Sequence, residues 1–197
     1  PLGITLEELQ KYPSRTVRVV TECSGSEAHF FDLEKSNGQS HGCDIHPAVI
    51  GKPNRFDLGE SHTGQICSGE FTGVSLATIM EKAGLKPNAI SVRAEGFDRG
   101  TPSEQASQGI SETPEEINYD KCLPMEKVLD PDTIVAWALN GEYLRHVHGA
   151  PVRLVVPGWS GNWSVKWLHK LEVLDHMAPC WYQTHYFYYS DSLEDEN

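Results

Sequence analysis

Asn140-Gly141, set between Trp137-Ala138-Leu139 and Tyr143-Leu144, constrains this chain more than any other local feature. Both residue types tolerate positive φ, which a two-residue type I′ turn demands at its two central positions. The dipeptide therefore predicts a β-hairpin, with one strand over residues 133–139 and the next from Tyr143. Strand patterns recur elsewhere. Residues 16–22 carry Val17, Val19 and Val20, residues 90–95 alternate, and residues 152–156 and 165–174 are the last two. Helices are short by comparison. Thr5-Leu6-Glu7-Glu8 has the capping-box form and predicts a helix to about Lys11, stopped by Pro13. Ser75 stands where it would cap a helix carrying Leu76, Ile79, Met80 and Ala83, with Gly84 and Pro87 beyond it. Residues 124–129 hold a helical turn or two. Residues 31–70 and 99–118 read as long irregular loops, the kind that commonly carry function. The expected class is α+β, with many strands, few short helices and site-forming loops.

A chain of 197 residues with 39% hydrophobic and 22% charged content can build one core of useful size. Net charge is −12, with acid gathered in residues 112–116 and in an acidic tail, residues 191–197. No Lys/Arg stripe exists to neutralise phosphates, so nucleic acid is not the expected partner. The longest apolar runs are too short for a membrane span, so none is expected. The chain opens on Pro1 without a signal peptide. Its five cysteines form neither a C-x-x-C pair nor a haem-attachment motif, and their odd number leaves at least one unpaired within the chain.

Two features point to chemistry. Cys23 follows the strand over residues 16–22 and precedes Ser24-Gly25-Ser26, small residues that keep space open around sulfur. Alone, such a thiol reads either as a small buried hydrophobe or as a soft donor at a strand end. Further on, His148-Gly-Ala-Pro-Val-Arg153-Leu-Val-Val-Pro-Gly-Trp159 is followed by Ser160-Gly-Asn162-Trp163-Ser164-Val-Lys166-Trp167-Leu168. Basic side chains beside Gly- and Pro-rich turns suit an anionic ligand, since glycine admits the backbone and Arg or Lys supplies charge-assisted bonds. His148 reads equally as a core histidine, and Lys166 as a solvated strand residue.

These segments, in order, resemble the molybdopterin-binding domain of the sulfite oxidase family, which includes the catalytic subunit of sulfane dehydrogenases. The matching pieces are C-x-G at residues 23–25, T-G-V-x-L at 72–76, A-E-G at 94–96 and Y-x-x-x-x-P-x-x-K-x-L-D-P at 119–131. N-G-E at 140–142, H-G-x-P-V-R-L-V-V-P-G-W at 148–159 and S-V-K-W-L at 164–168 complete them. The resemblance implies a mixed-sheet, barrel-like fold in which residues 1–190 form the molybdopterin-binding domain. The family's first strands and its C-terminal dimerisation domain are expected to be missing. It implies a molybdenum–molybdopterin cofactor, with Cys23 as the protein's thiolate ligand to the metal and Tyr119 beside the oxo groups. Cys23 and Tyr119 are thus the expected catalytic residues. His148, Arg153, Asn162, Trp163, Ser164 and Lys166 are the expected contacts to the pterin and its phosphate.

The implied activity is oxidation of sulfite or a related inorganic sulfur compound by oxygen-atom transfer. Electrons would go to a separate cytochrome c or haem subunit, because this chain has no haem motif. Alternatives are a sulfoxide reductase-like relative and a non-catalytic cofactor-binding scaffold. The resemblance also implies a periplasmic location and a homo- or hetero-oligomer. Ser26 and Ala28 stand where the sulfite-oxidising members often carry Asn and Arg, and Ser61 or His62 replaces a tryptophan. A pocket with fewer cations favours a less charged sulfur species. Between these segments lie His41, Cys43, His46, His62 and Cys67, which admit three readings: a zinc site, a Cys43–Cys67 disulfide, or plain loop residues at the site's entrance.

Overall fold

A computed structural model of the chain describes residues 1–23, 66–102 and 114–185. Among the described residues eight strands form two sheets, and every pairing among them is antiparallel. In the first sheet β1 (Arg15–Glu22) pairs with β2 (Ile66–Ser75), which pairs with β5 (Ile134–Leu139). β5 also carries β6 (Glu142–Tyr143) and β7 (Arg153–Val155). The second sheet runs β4 (Ile117–Pro124), β3 (Ser91–Gly100), β8 (Leu168–Leu174). The α+β expectation holds, dominated by sheet. Neither sheet closes on itself among the described residues, so the barrel-like expectation gives way to two open sheets.

β5 lies at the centre because both of its faces are apolar. Val135, Trp137 and Ala138 join a large core cluster with Leu76, Ile79 and Met80, while Ile134 and Ala136 join a second cluster with Val17, Val19 and Phe71. Each fully buried side chain of this size contributes about 1.5–3 kcal/mol relative to exposure. The hairpin is present as expected. Asn140 and Gly141 take φ of 53° and 81°, and Leu139 pairs with Glu142 across the two-residue turn.

Among the described residues there are four short α-helices, α1 (Leu6–Leu9), α2 (Leu76–Ala83), α3 (Met125–Val128) and α4 (Trp181–His185), of which α2 and α3 join the sheets. The capping box of α1 is formed on both sides, Glu8 N–H donating to Thr5 Oγ1 at 3.2 Å and Thr5 N–H to Glu8 Oε2 at 2.8 Å. α2 buries Leu76, Ile79 and Met80 and ends on Gly84 at φ 77°. Ser75 stands at its N-cap but makes no capping hydrogen bond; instead Leu76 N–H donates to the Thr133 carbonyl at 2.8 Å.

Two expected loops are partly strand. β2 begins at Ile66, and β3 and β4 extend the second sheet into residues 99–100 and 117–118. Both corrections have one cause: these segments are polar or glycine-rich, and only long-range pairing makes strands of them. β8 also starts later than residue 165, since Trp167 takes a φ of 47° that no strand continues through.

Candidate functional site

β1 ends at Glu22, which leaves Cys23 at the strand's mouth, exposed. That exposure rules out the reading of Cys23 as a small buried hydrophobe. The turn Gly161–Trp163 packs against the same strand end. A Cβ on Gly161 would lie 2.9 Å from Thr21 Cγ2 and 3.2 Å from the Glu22 carbonyl oxygen, so a side chain there would crowd the end of β1. The turn carrying Asn162 and Trp163 is thereby held at the end of β1, where Cys23 follows.

Tyr119 comes from β4 and meets this turn from below. Its hydroxyl donates to the Asn162 carbonyl at 2.7 Å, and its ring packs on Tyr182 of α4 at 5.4 Å. Burial pushes the phenol's pKa well above its ordinary value, and the charges of Asp98, Tyr182, Asp120 and Cys23 push it the same way. Tyr119 and Cys23 thus share one electrostatic neighbourhood, and the phenol keeps its proton at any physiological pH.

Two residues along β4, Lys121 is fully buried. Its Nζ lies 5.0 Å from the Trp163 ring centroid and 5.9 Å from that of Tyr119. Burial pushes its pKa down to about 8, partly offset by the charges of Cys180 and Asp120. Asp120 is engaged by Arg93, Nε to Oδ2 at 2.6 Å. Burial likewise raises the Cys180 thiol to about 12.

The cationic residues gather at the other end. Arg153, at the start of β7, donates from one terminal nitrogen to the His148 carbonyl and from the other to the Ser164 carbonyl, both at 3.1 Å. Its guanidinium lies 5.3 Å from the Phe71 ring centroid, and burial pushes its pKa down to about 10. Ser164 turns its hydroxyl inward to accept the Val156 N–H at 3.1 Å. Lys166 donates to the Val147 carbonyl at 3.1 Å. Its pKa is lowered by burial first and by the neighbouring Arg153 second. His148 ends the 3₁₀ turn His146–His148 with its side chain exposed, and Gly149 follows at φ 99°, pressed against Lys166.

Asp98 joins the two ends. It sits where the β3–β4 register shifts between Glu95 and Arg99, and its charge acts on both Tyr119 and Lys166. Its Oδ1 is buried without a hydrogen-bond partner, and burial raises its pKa. Sequence reasoning missed this residue, although it stands two positions beyond the A-E-G motif it had singled out. Lys121 was missed too, since lysines are mostly exposed.

Cys23, Tyr119, His148, Arg153, Asn162, Trp163, Ser164 and Lys166, drawn from strands and turns far apart in sequence, therefore form one continuous strip. Cys67 is an exposed free thiol near Arg153, whereas His41, Cys43, His46, Ser61, His62 and the acidic tail lie outside the described residues. Among the described residues no cluster of three or more His, Cys, Asp or Glu could hold a metal, and no helix is long and apolar enough to cross a membrane.

An exposed strand-end thiol, a cradle of partly buried cations and an unpartnered buried carboxylate oxygen suit an anionic group that also carries N–H donors. The chain belongs to the family described as the oxidoreductase molybdopterin binding domain, whose sequence model matches residues 1–182. It is 28% identical over 187 residues to an NADH nitrate reductase of Ulva prolifera, covering 94% of this chain and 19% of that protein. It is 26% identical over 174 residues to the mitochondrial sulfite oxidase of Rattus norvegicus, covering 87% of this chain and 26% of the relative. Among solved structures, the sulfane dehydrogenase SoxCD of Paracoccus pantotrophus superposes with a TM-score of 0.62 at 32% identity, covering 90% of this chain and 36% of that one. The chain thus spans between about a fifth and a quarter of the curated relatives' length. Membership implies a molybdenum–pterin cofactor, and the strip fits one. A thiolate suits the metal, Arg153 and Lys166 suit a phosphate, and the orphaned Asp98 oxygen suits an N–H of a pterin ring.

Proposed function

We propose that this domain is the catalytic core of a molybdenum-dependent enzyme that oxidises sulfite or a related inorganic sulfur compound and passes the electrons to a separate cytochrome c-type acceptor. The observation that carries the reading is the strip itself, which has an exposed thiol at one end and two partly buried cations at the other, 13 residues apart in sequence at Arg153 and Lys166.

When bound, the cofactor supplies oxygen-atom transfer and two-electron redox chemistry. The chain's residues bind and orient it. Cys23 contributes the thiolate to the metal. Lys166, Arg153 and His148 hold the phosphate end, with Ser164 fixing the backbone between them, and Asn162 and Trp163 form the wall beside Cys23. Asp98 accepts an N–H from the ring system. Tyr119, kept protonated by burial, acts as a hydrogen-bond donor and never as a phenolate. Lys121 places a positive charge behind that wall, where it favours added negative charge.

The sulfur reading is supported by the 32% identity to the sulfane dehydrogenase SoxCD over nine-tenths of this chain. A periplasmic setting and a haem-bearing partner go with it, and a net charge of −12 would steer a basic cytochrome. A second reading, reduction of nitrate, is favoured by the relative from Ulva prolifera. The test is metal and pterin content of protein made in a host that synthesises the cofactor, followed by turnover assays with sulfite, thiosulfate and nitrate. About one molybdenum per chain with sulfite or thiosulfate oxidation is expected. Nitrate turnover alone overturns the substrate, and protein with neither metal nor pterin overturns the enzyme.

A further inference from the structure

Trp167 has a backbone conformation that no bulky residue adopts without compensation. Its φ is 47°, in the left-handed region, and it is one of two non-glycine residues with positive φ among those described. The other, Asn140, is of the type that tolerates it. Strain of this kind persists where the surroundings over-determine it, and it collects at functional positions.

The surroundings here are specific. Trp167 N–H donates to the Gly149 carbonyl at 3.3 Å, and its own carbonyl accepts the Phe97 N–H at 2.8 Å. The indole Nε1–H donates to the His146 carbonyl at 2.8 Å. The Lys166 ammonium lies 4.2 Å from the ring centroid, and the His146 ring 5.8 Å from it. One side chain therefore touches Lys166 through its face and His146, at the start of the turn ending at His148, through its edge.

We propose that Trp167 is the positioning residue of the phosphate end of the site: its left-handed backbone and indole clamp Lys166 and the His146–His148 turn in the geometry that receives an anion. This rests on the reading of Lys166 and His148 as cofactor anchors. A lysine has three donor protons. The Val147 carbonyl takes one, the indole face steadies the ammonium without taking another, and an incoming phosphate takes the rest. A free lysine would lose several rotatable bonds' worth of freedom on binding; this one is already placed.

The alternative is that Trp167 does no more than begin β8, and glycine separates the two. Trp167→Gly removes the clamp and relieves the backbone at once. A purely structural role predicts a variant that holds pterin as wild type does. A positioning role predicts an apoprotein that melts within a few degrees of wild type, yet a loaded protein that releases pterin about tenfold faster, the size of one lost cation–π contact. Trp167→Leu keeps bulk without face or donor and should release pterin similarly, which preserves the test if the glycine variant does not fold. Lys166→Ala should lose at least as much, and the double variant Lys166→Ala/Trp167→Gly less than the sum of the two, because part of the clamp acts through Lys166. Pterin fluorescence in the released fraction is the readout for all. Retention equal to wild type in both Trp167 variants, or additive losses in the double variant, overturns the proposal and leaves the function standing. Wild-type protein that holds no pterin overturns both.

Discussion

At its Lys166–Arg153 end the site is held by cations lodged on backbone carbonyls; at its Cys23 end it is held by aromatic rings, a buried lysine and a glycine turn. The difference is one of coupling to the fold. Arg153 bridges the carbonyls of His148 and Ser164, so the anchor end is part of what keeps β7 and its flanking turns together. Cys23 is exposed at the end of β1, while the turn beside it is packed from behind by Tyr119 and Lys121. One end is therefore both structure and site. At the other the sulfur is exposed at a strand end, outside the packed wall.

The largest expected effect is at the thiol. Cys23→Ser should lower molybdenum occupancy and reduce turnover by more than about 100-fold, the loss that even outer-sphere changes at metal sites can reach. Because the side chain is exposed, the apoprotein's melting temperature should stay within about a degree of wild type. Arg153→Met should behave differently. It removes the donor from one exposed and one partly buried backbone carbonyl, so it should destabilise the apoprotein by about 2 kcal/mol as well as loosen the cofactor, read by denaturant unfolding with and without pterin. If the two variants lost stability alike, the contrast between the ends would collapse.

The same contrast explains what was legible in the sequence. The hairpin at Asn140-Gly141, the capping box of α1 and the apolar face of α2 are local signals, each written within a few residues. The cradle was legible because His148, Arg153, Ser164 and Lys166 sit in two adjoining motifs. β2 and β4 were not, since Gly69 and Gly73 earn their places only by close approach to β5, and β4 becomes a strand only through β3. Asp98 and Lys121 escaped for a related reason. A carboxylate or an ammonium declares nothing about burial until distant strands close over it, and general tendency places both outside. The left-handed φ of Trp167 was equally silent, because nothing in the residue type announces it.

Lys121 gives the next effect in size. Its pKa is lowered from 10.5 to about 8, so below pH 8 both native and unfolded chains are protonated and the native state bears the whole cost of the buried charge. Between pH 8 and 10.5 the native state releases its proton first, so stability rises with pH, and above that range the cost is gone. Lys121→Met should therefore raise stability at pH 7 by about 2 kcal/mol, with the advantage over wild type fading as pH climbs through that window. Cys180 titrates with the opposite slope between its ordinary 9 and about 12, so the difference between the two unfolding curves is what isolates Lys121. The variant that stabilises the fold should be a poorer redox site, because the charge behind Trp163 is lost.

Tyr119→Phe is the smallest change and the sharpest probe of the Cys23 end. It removes one hydrogen bond, the 2.7 Å contact to the Asn162 carbonyl, and keeps the ring that packs on Tyr182 and faces Lys121. The expected cost is about 1 kcal/mol of stability, with faster amide exchange at Trp163 and Ser164, whose N–H groups close the adjoining turn. Cofactor content should hardly change, since Tyr119 does not belong to the anchor end. The kinetic consequence divides two roles for the phenol. If its proton serves only the Asn162 carbonyl, turnover falls in step with the loosened turn and by no more than severalfold. If the hydroxyl leaves that carbonyl to donate to a substrate oxygen, kcat/KM falls about 100-fold at unchanged molybdenum content, the range set by removing a donor aimed at developing charge.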